Sequence, residues 1–206
     1  MMKRTLLAII LACCTLSMSA QEGGIRVKYQ GAKPTISDFV NTYLNSRSEG
    51  DDDCSDESFN AVQQAWNKKR AGKALGNGEK LTIDEKNGFV LYESKYDENL
   101  LRVEMCYWNE ADQKHKLFAY NVGCFTNGKY SPGQFDGLTF LRYDNATKRM
   151  SWCEAPGFDP VMGNEDGSWI SYALPRIGKD ITVTTWLKNG KQQQKTLKFN
   201  GRKFSY

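Results

Sequence analysis

A chain of 206 residues with a formal net charge of +4 and 12% aromatic residues is long enough for one domain with a substantial core. Without Lys3 and Arg4 the net charge falls to +2, too little to argue for nucleic acid or an anionic membrane surface as a partner. Beyond the first residues no apolar run approaches membrane-spanning length, and a single histidine leaves little material for histidine-based acid–base chemistry.

The N-terminus has the pattern of a secretory signal. Lys3 and Arg4 form a basic start, residues 5–18 are largely apolar, and Ser17, Ser19 and Ala20 precede Gln21. A signal peptide over residues 1–20 is expected, cut after Ala20, or after Ser19 because Met18 fits poorly three places before the first cut. A lipid-attachment box at Leu11-Ala12-Cys13 is the rival. The apolar run continues past Cys13, where a lipoprotein turns polar, and this disfavours it. The mature chain is thus expected in the periplasm or outside the cell, with Cys54, Cys106, Cys124 and Cys153 remaining. An oxidising compartment permits disulfides among them in any of three pairings, and buried free thiols fit equally.

Residues 21–33 mix glycine and charge without a period and read as a tether or edge segment; residues 34–206 read as one globular domain. Its first part, 34–76, is expected to be helical. Thr35 and Asp38 stand at capping-box spacing, and Ile36, Phe39, Val40, Tyr43 and Leu44 share one helical face. A second helix is expected from Ser55 as N-cap. Asp56 and Glu57 lie in its first turn, Phe59, Val62 and Trp66 form its stripe, and Lys68, Lys69, Arg70 and Lys73 crowd its C-terminal end. That basic run is explained by the helix dipole, and the acidic run 51–53 by a solvated linker.

From residue 77 onward the apolar period changes to two. Nine strands are expected, at 80–84, 88–95, 100–108, 116–125, 137–143, 149–153, 169–175, 180–187 and 192–199. Asn-Gly occurs five times, at 77–78, 87–88, 127–128, 189–190 and 200–201, and between alternating runs it is the strongest short hairpin signal. The fold class is therefore α+β and predominantly antiparallel β: two N-terminal helices, then a curled meander of about eight to nine strands over residues 77–206. Barrel, sandwich and helix-filled roll all remain open.

The stretch "CYWNEADQKHKLFAYNVGCF" holds two cysteines, the one histidine and many aromatics, and it invites a thiol or metal reading. As a hairpin turning near Asp112, it pairs Cys106 roughly with Phe118 and Cys124 roughly with Leu100, setting the sulfurs far beyond bonding reach. His115 falls in the loop, and no Cys-x-x-Cys element is present, so no metal or cofactor is expected. Leu101, Val103, Met105 and Tyr107 share a core face. Arg102, Glu104, Cys106 and Trp108 share the other, and Glu104 with Trp108 are candidates for lining a groove. The irregular segment 153–169 carries Asp159, Asn164, Glu165 and Asp166 without the spacing of a calcium loop. Trp152 and Trp169 flank it and are candidates for an aromatic ligand platform.

The segment "LPRIGKDI", the tryptophan strand after it, the "KNGK" turn and the closing "FNGRKF", together with "KLFAYNVGCF" and "GQFDGLTFLRYDNATKRM", carry a resemblance. They resemble small secreted proteins of unknown function from anaerobic Gram-negative gut bacteria, over most of the mature chain. The resemblance implies an exported, β-rich domain and carries over no activity or site. No nucleophile motif is present, and Glu93, Glu104 and Asp136 cannot be paired from sequence. A non-enzymatic binding module for a glycan, a peptide or an envelope protein is therefore favoured. A small hydrolase of cell-envelope or dietary polymers using paired carboxylates, and a structural envelope component, are the alternatives.

Overall fold

The computed structural model describes residues 23–46, 57–134, 136–160, 163 and 167–206. The expected signal peptide, Cys54 and the expected N-cap Ser55 lie outside the described residues. In chain order the elements are β1 (Ile25–Arg26), α1 (Ile36–Leu44), α2 (Glu57–Arg70), β2 (Glu79–Asp84), β3 (Phe89–Tyr96), β4 (Asn99–Asn109) and β5 (His115–Thr126). They continue with β6 (Lys129–Tyr130), β7 (Gly137–Asp144), β8 (Arg149–Cys153), β9 (Trp169–Ala173), β10 (Ile181–Trp186), β11 (Gln192–Phe199) and β12 (Phe204–Ser205). The protein is mostly antiparallel β with two helices.

The strands form two sheets. The larger has eight strands in the order β1-β8-β7-β5-β4-β3-β2, with β6 paired to β5; the smaller has four in the order β12-β11-β10-β9. The two ends of the larger order, β1 and β2, do not pair, so the sheet is open and the barrel alternative is corrected. The strand count exceeds the expected eight to nine because β1, β6 and β12 have two residues each, too short to show alternation. β1 pairs Ile25 with Met150, so part of the segment at 21–33 joins the sheet edge.

Local chemistry accounts for the elements. At the start of α1 the Thr35 backbone N–H donates to Asp38 Oδ2 at 2.8 Å, the return bond of a capping box. Lys68, Lys69 and Arg70 occupy the last turn of α2, where the dipole favours positive charge. Four of the five Asn-Gly pairs sit in hairpin connections, and at Asn127-Gly128 both residues take positive φ, 53° and 72°. Two positive φ values in a two-residue loop match the twist of the flanking strands.

Register then separates two faces. Val103 opposes Val122, Met105 opposes Tyr120, and Tyr107 opposes Phe118, which opposes Leu141. This face is covered by the helices: Phe39, Val40, Tyr43 and Leu44 of α1 and Phe59, Val62 and Trp66 of α2 complete its core. Phe39 sets its ring edge-on to Tyr143 at 5.1 Å, and Tyr43 lies 5.7 Å from Phe118. On the opposite face Phe89, Cys106, Ala119 and Phe140 pack with Ile181, Val183, Leu197, Phe199 and Phe204 of the smaller sheet. The larger sheet is thus the middle of three layers.

The expected β4–β5 register is corrected by one residue: Cys106 opposes Ala119, not Phe118, and Cys124 opposes Leu101, not Leu100. Glu110 and His115 close the loop, with the Glu110 N–H donating to the His115 carbonyl at 3.1 Å. His115 therefore opens β5 instead of lying in the loop. Cys106 and Cys124 point to opposite faces and lie five residues apart along β4. Cys106 and Cys153 share a row but stand three strands apart, about 14 Å at the usual strand spacing. No disulfide joins any two of the three.

Two outcomes test this frame. Phe118→Ala, at a position with no exposure between Phe39 and Tyr43, should lower unfolding free energy by about 3–5 kcal/mol in a urea titration. A non-reducing peptide map should show no bridge among Cys106, Cys124 and Cys153; a Cys106–Cys124 bond would contradict the register.

Candidate functional site

Along the β4–β5 hairpin, the face that meets the smaller sheet changes character pair by pair. Trp108 opposes Leu117, Cys106 opposes Ala119, Glu104 opposes Asn121, Arg102 opposes Gly123, and Leu100 opposes Phe125. The first two pairs are dry core, the third is a buried polar pair, and the last two line a groove.

Trp108 is not on a rim. It is 4% exposed, packed against Phe199 at 5.8 Å and edge-on to Phe204 at 5.9 Å. The mixed face of the hairpin was legible, but the smaller sheet covers this end of it. Glu104 is 6% exposed, and its Oε2 accepts the Leu174 N–H at 2.9 Å and the Asn121 Nδ2 at 3.1 Å. Asn121 also donates to the Tyr172 carbonyl at 2.9 Å. These bonds join the hairpin to β9 and the residue after it. Burial raises the Glu104 carboxyl above its ordinary range, against the lowering effect of the Leu174 and Asn121 bonds.

Trp152 and Trp169 are exposed, at 56% and 46%, but they belong to different sheets. Trp152 shares the helix-covered face with Leu141 and lies edge-on to Tyr43 at 5.8 Å. Trp169 opposes Trp186 on the smaller sheet. The pair therefore serves two surfaces and not one platform. Of the segment between them, residues 161–162 and 164–166 lie outside the described residues.

A cleft of about 890 Å³ lies beside the Glu104–Asn121 pair. Leu100, Arg102, Asn121, Gly123 and Phe125 form its floor; Ser171, Thr182, Thr184, Trp186, Gln192 and Gln194 form its far wall. Lys95, Asp97 and Glu98 stand at the β3–β4 turn. The wall residues occupy one face of the smaller sheet, since Thr182 opposes Ala173, Thr184 opposes Ser171 and Gln194, and Trp186 opposes Gln192. The other face, with Ile181, Val183 and Leu197, enters the inter-sheet core.

An aromatic cluster anchors the groove. Trp186 lies edge-on to Phe125 at 6.1 Å and 6.4 Å from Tyr130, while its Nε1 donates to Ser171 Oγ at 2.7 Å. Gly123 leaves room for this cluster: a Cβ there would stand 3.2 Å from the Phe125 ring. Arg102 lies 5.6 Å over Phe125, and its Nη2 donates to Glu93 at 2.9 Å. Below the cluster Asp136 accepts the Cys124 N–H at 2.7 Å; burial raises the carboxyl of Asp136 and the phenol of Tyr130.

This wall does not stand out in the sequence because the apolar alternation of Ile181, Val183 and Leu187 marks the other face of the strand. The signal lay in the alternate positions, where a tryptophan follows two threonines at spacing two on an otherwise polar strand face.

A second cluster stands at the opposite end of the hairpin. Ligand atoms of Glu110, Asp112 and His115 lie within 4.8 Å of one another, a convergence that placing His115 in a loop did not anticipate. Arg142 sits among them, its Nε donating to Glu110 Oε1 at 2.7 Å, and His115 Nδ1 meets Asp112 Oδ2 at 2.5 Å. The His115 bond is the main cause holding the Asp112 carboxyl down at about 2. Arg142 supplies the positive charge that a cation would bring, so the cluster is an ion-pair network tying the loop to β7.

No protein-family model, no curated protein and no solved structure matches the chain.

Glu104 gives a pH test. With its folded pKa above the ordinary 4.5, its contribution to stability is full below that value and is lost as pH rises through the raised one. Glu104→Gln keeps an oxygen acceptor without charge, so its melting temperature relative to the unsubstituted protein should increase from pH 4 to pH 8. Glu104→Ala strands the Leu174 N–H and the Asn121 amide and should cost about 1–3 kcal/mol for each group left unsatisfied, read by urea unfolding.

Proposed function

We propose that the protein is a secreted or periplasmic binding module whose ligand lies in the groove between the β4–β5 hairpin and the Thr182–Trp186 face of the smaller sheet. One observation carries the reading: a cleft of about 890 Å³ combines an aromatic cluster with amide, hydroxyl and paired ionic groups from separate strands. Its size falls within the range of about 300–1,000 Å³ typical of ligand sites, and a few polar groups beside an aromatic surface is their usual make-up. The proposed location rests on the pattern of residues 1–20.

A hydrolase acting through two carboxyl groups needs them set across the scissile bond, about 5–10 Å apart. The two carboxylates lining this cleft, Asp97 and Glu98, are neighbours in one turn, and Glu98 accepts the Asn127 Nδ2 at 3.1 Å. Glu104 spends its Oε2 on the sheet-to-sheet clamp. This arrangement supports holding a ligand over cleaving one.

Thr182 stands on the groove wall, half-buried, and Thr182→Arg fills the cleft without touching either core. Glycans, peptidoglycan fragments and peptides should be screened against the protein and this variant in parallel. The expected outcome is a ligand retained by the first and lost at least tenfold by the second. A ligand held equally by both would place binding elsewhere and defeat the reading.

A further inference from the structure

The groove also carries information on what it takes. We infer that its ligand is a neutral oligosaccharide, lying with the C–H face of one sugar ring on Trp186 and giving a hydroxyl hydrogen bond to Asn121 Oδ1; this rests on the groove being the binding site.

Three features lead there. The first is an oriented acceptor. Asn121 is 3% exposed, and its Nδ2 meets two acceptors, Glu104 Oε2 and the Tyr172 carbonyl. A carbonyl can only accept, so the Tyr172 contact fixes the nitrogen on that side and leaves Oδ1 as the remaining group. Asn121 lines the groove, and its Oδ1 has no partner among the described residues. This oxygen is not a buried orphan but meets solvent in the groove, so a ligand hydroxyl donating to it takes the place of water.

The second is charge. The ionic groups lining the cleft are Lys95 and Arg102 against Asp97 and Glu98, which cancel. Arg102 is held in place by Glu93, its cross-strand partner, at 2.9 Å, so its guanidinium is not free to seek an anionic ligand. An anionic polymer would meet two acids at the turn, and a cationic one would meet Lys95 and Arg102. A neutral ligand has no such opponent, and its hydroxyls can both donate and accept. Ser171, Thr182, Thr184, Gln192 and Gln194 on the wall offer the same dual capacity.

The third is the kind of backbone the cleft presents. An extended peptide binds by adding to a free strand edge. The clamp uses the nearest edge: β9 gives its Tyr172 carbonyl to Asn121, and the following Leu174 gives its N–H to Glu104. The wall is a sheet face of side chains. Trp186, with its Nε1 turned to Ser171, offers ring surface, which suits the C–H face of a pyranose.

The test is a calorimetric and tryptophan-fluorescence titration of the protein with neutral tetrasaccharides (cellotetraose, xylotetraose, maltotetraose, chitotetraose), with tetragalacturonate and the fully deacetylated chitosan tetramer as charged probes and an alanine-rich tetrapeptide as control. Saturable binding of at least one neutral tetrasaccharide is expected. Trp186→Ala should weaken it tenfold or more, Trp186→Phe should recover most of that loss, and Gln194→Ala at the exposed end of the wall should weaken it by a smaller factor. Far-UV circular dichroism confirms that each variant folds. Binding only of a charged probe or the peptide, lost in Thr182→Arg, would overturn the neutral-glycan inference while leaving the groove reading standing. Neutral-glycan binding indifferent to Trp186→Ala, Gln194→Ala and Thr182→Arg would overturn both. No binding of any neutral tetrasaccharide at millimolar concentration would overturn the inference.

Discussion

The arrangement of the molecule depends on how one strand edge is satisfied. β9 ends the smaller sheet, and an edge strand carries backbone groups that need partners or water. Here the partners are side chains of the larger sheet: Asn121 takes the Tyr172 carbonyl, and Glu104 takes the N–H of Leu174 just beyond the strand. The smaller sheet therefore meets the larger one along an edge as well as by a face. Ile181, Val183 and Leu197 turn into the aromatic core around Trp108, while Thr182, Thr184 and Trp186 turn toward Arg102, Gly123 and Phe125. In an aligned sandwich the second set would face only solvent. The groove is the geometric consequence of the clamp.

A carboxylate is an expensive clamp to bury, and its neighbours show how the cost is contained. Glu104 accepts two hydrogen bonds, and Arg102, on the same face of β4, adds an attractive charge that lowers the carboxyl pKa against the larger effect of burial. Arg102 in turn is held by Glu93, so the charge of the floor is spread over a short chain of partners. An apolar pair at 104 and 121 would pack more cheaply, but it would leave the Tyr172 carbonyl and the Leu174 N–H without these partners. The polar pair is thus the boundary between dry core and groove.

Most of the secondary structure was legible because its signals are local. Alternation and Asn-Gly turns place the nine longer strands within about two residues at each end, and the Thr35–Asp38 pair marks the start of α1. The β4–β5 register was off by one because four residues, not an odd number, lie between Glu110 and His115, and no periodicity reports that parity. The division into two sheets rests on contacts far apart in sequence. Asn121 reaches Tyr172 and Glu104 reaches Leu174, separations of 51 and 70 residues. Hence the sequence shows Glu104 as a charge among apolar neighbours on its strand, while what it touches is beyond the reach of local pattern. Trp108 illustrates the same limit: its face was correct, but its cover came from Phe199 and Phe204 at the far end of the chain.

The five tryptophans divide by what their surroundings ask of them. Trp66 and Trp108 fill the two cores, one beneath the helices and one between the sheets. Trp152 and Trp169 are exposed, each on a separate sheet. Trp186 alone combines a half-buried ring, an N–H bonded inward to Ser171 and aromatic neighbours, Phe125 and Tyr130, that restrict its tilt. An indole so held loses little rotamer freedom when something stacks on it, so less of the interaction is spent on ordering the site. Threonines two and four positions earlier on the strand keep the adjoining wall short and polar, giving the ring a surface on which a flat, hydroxylated ligand can lie.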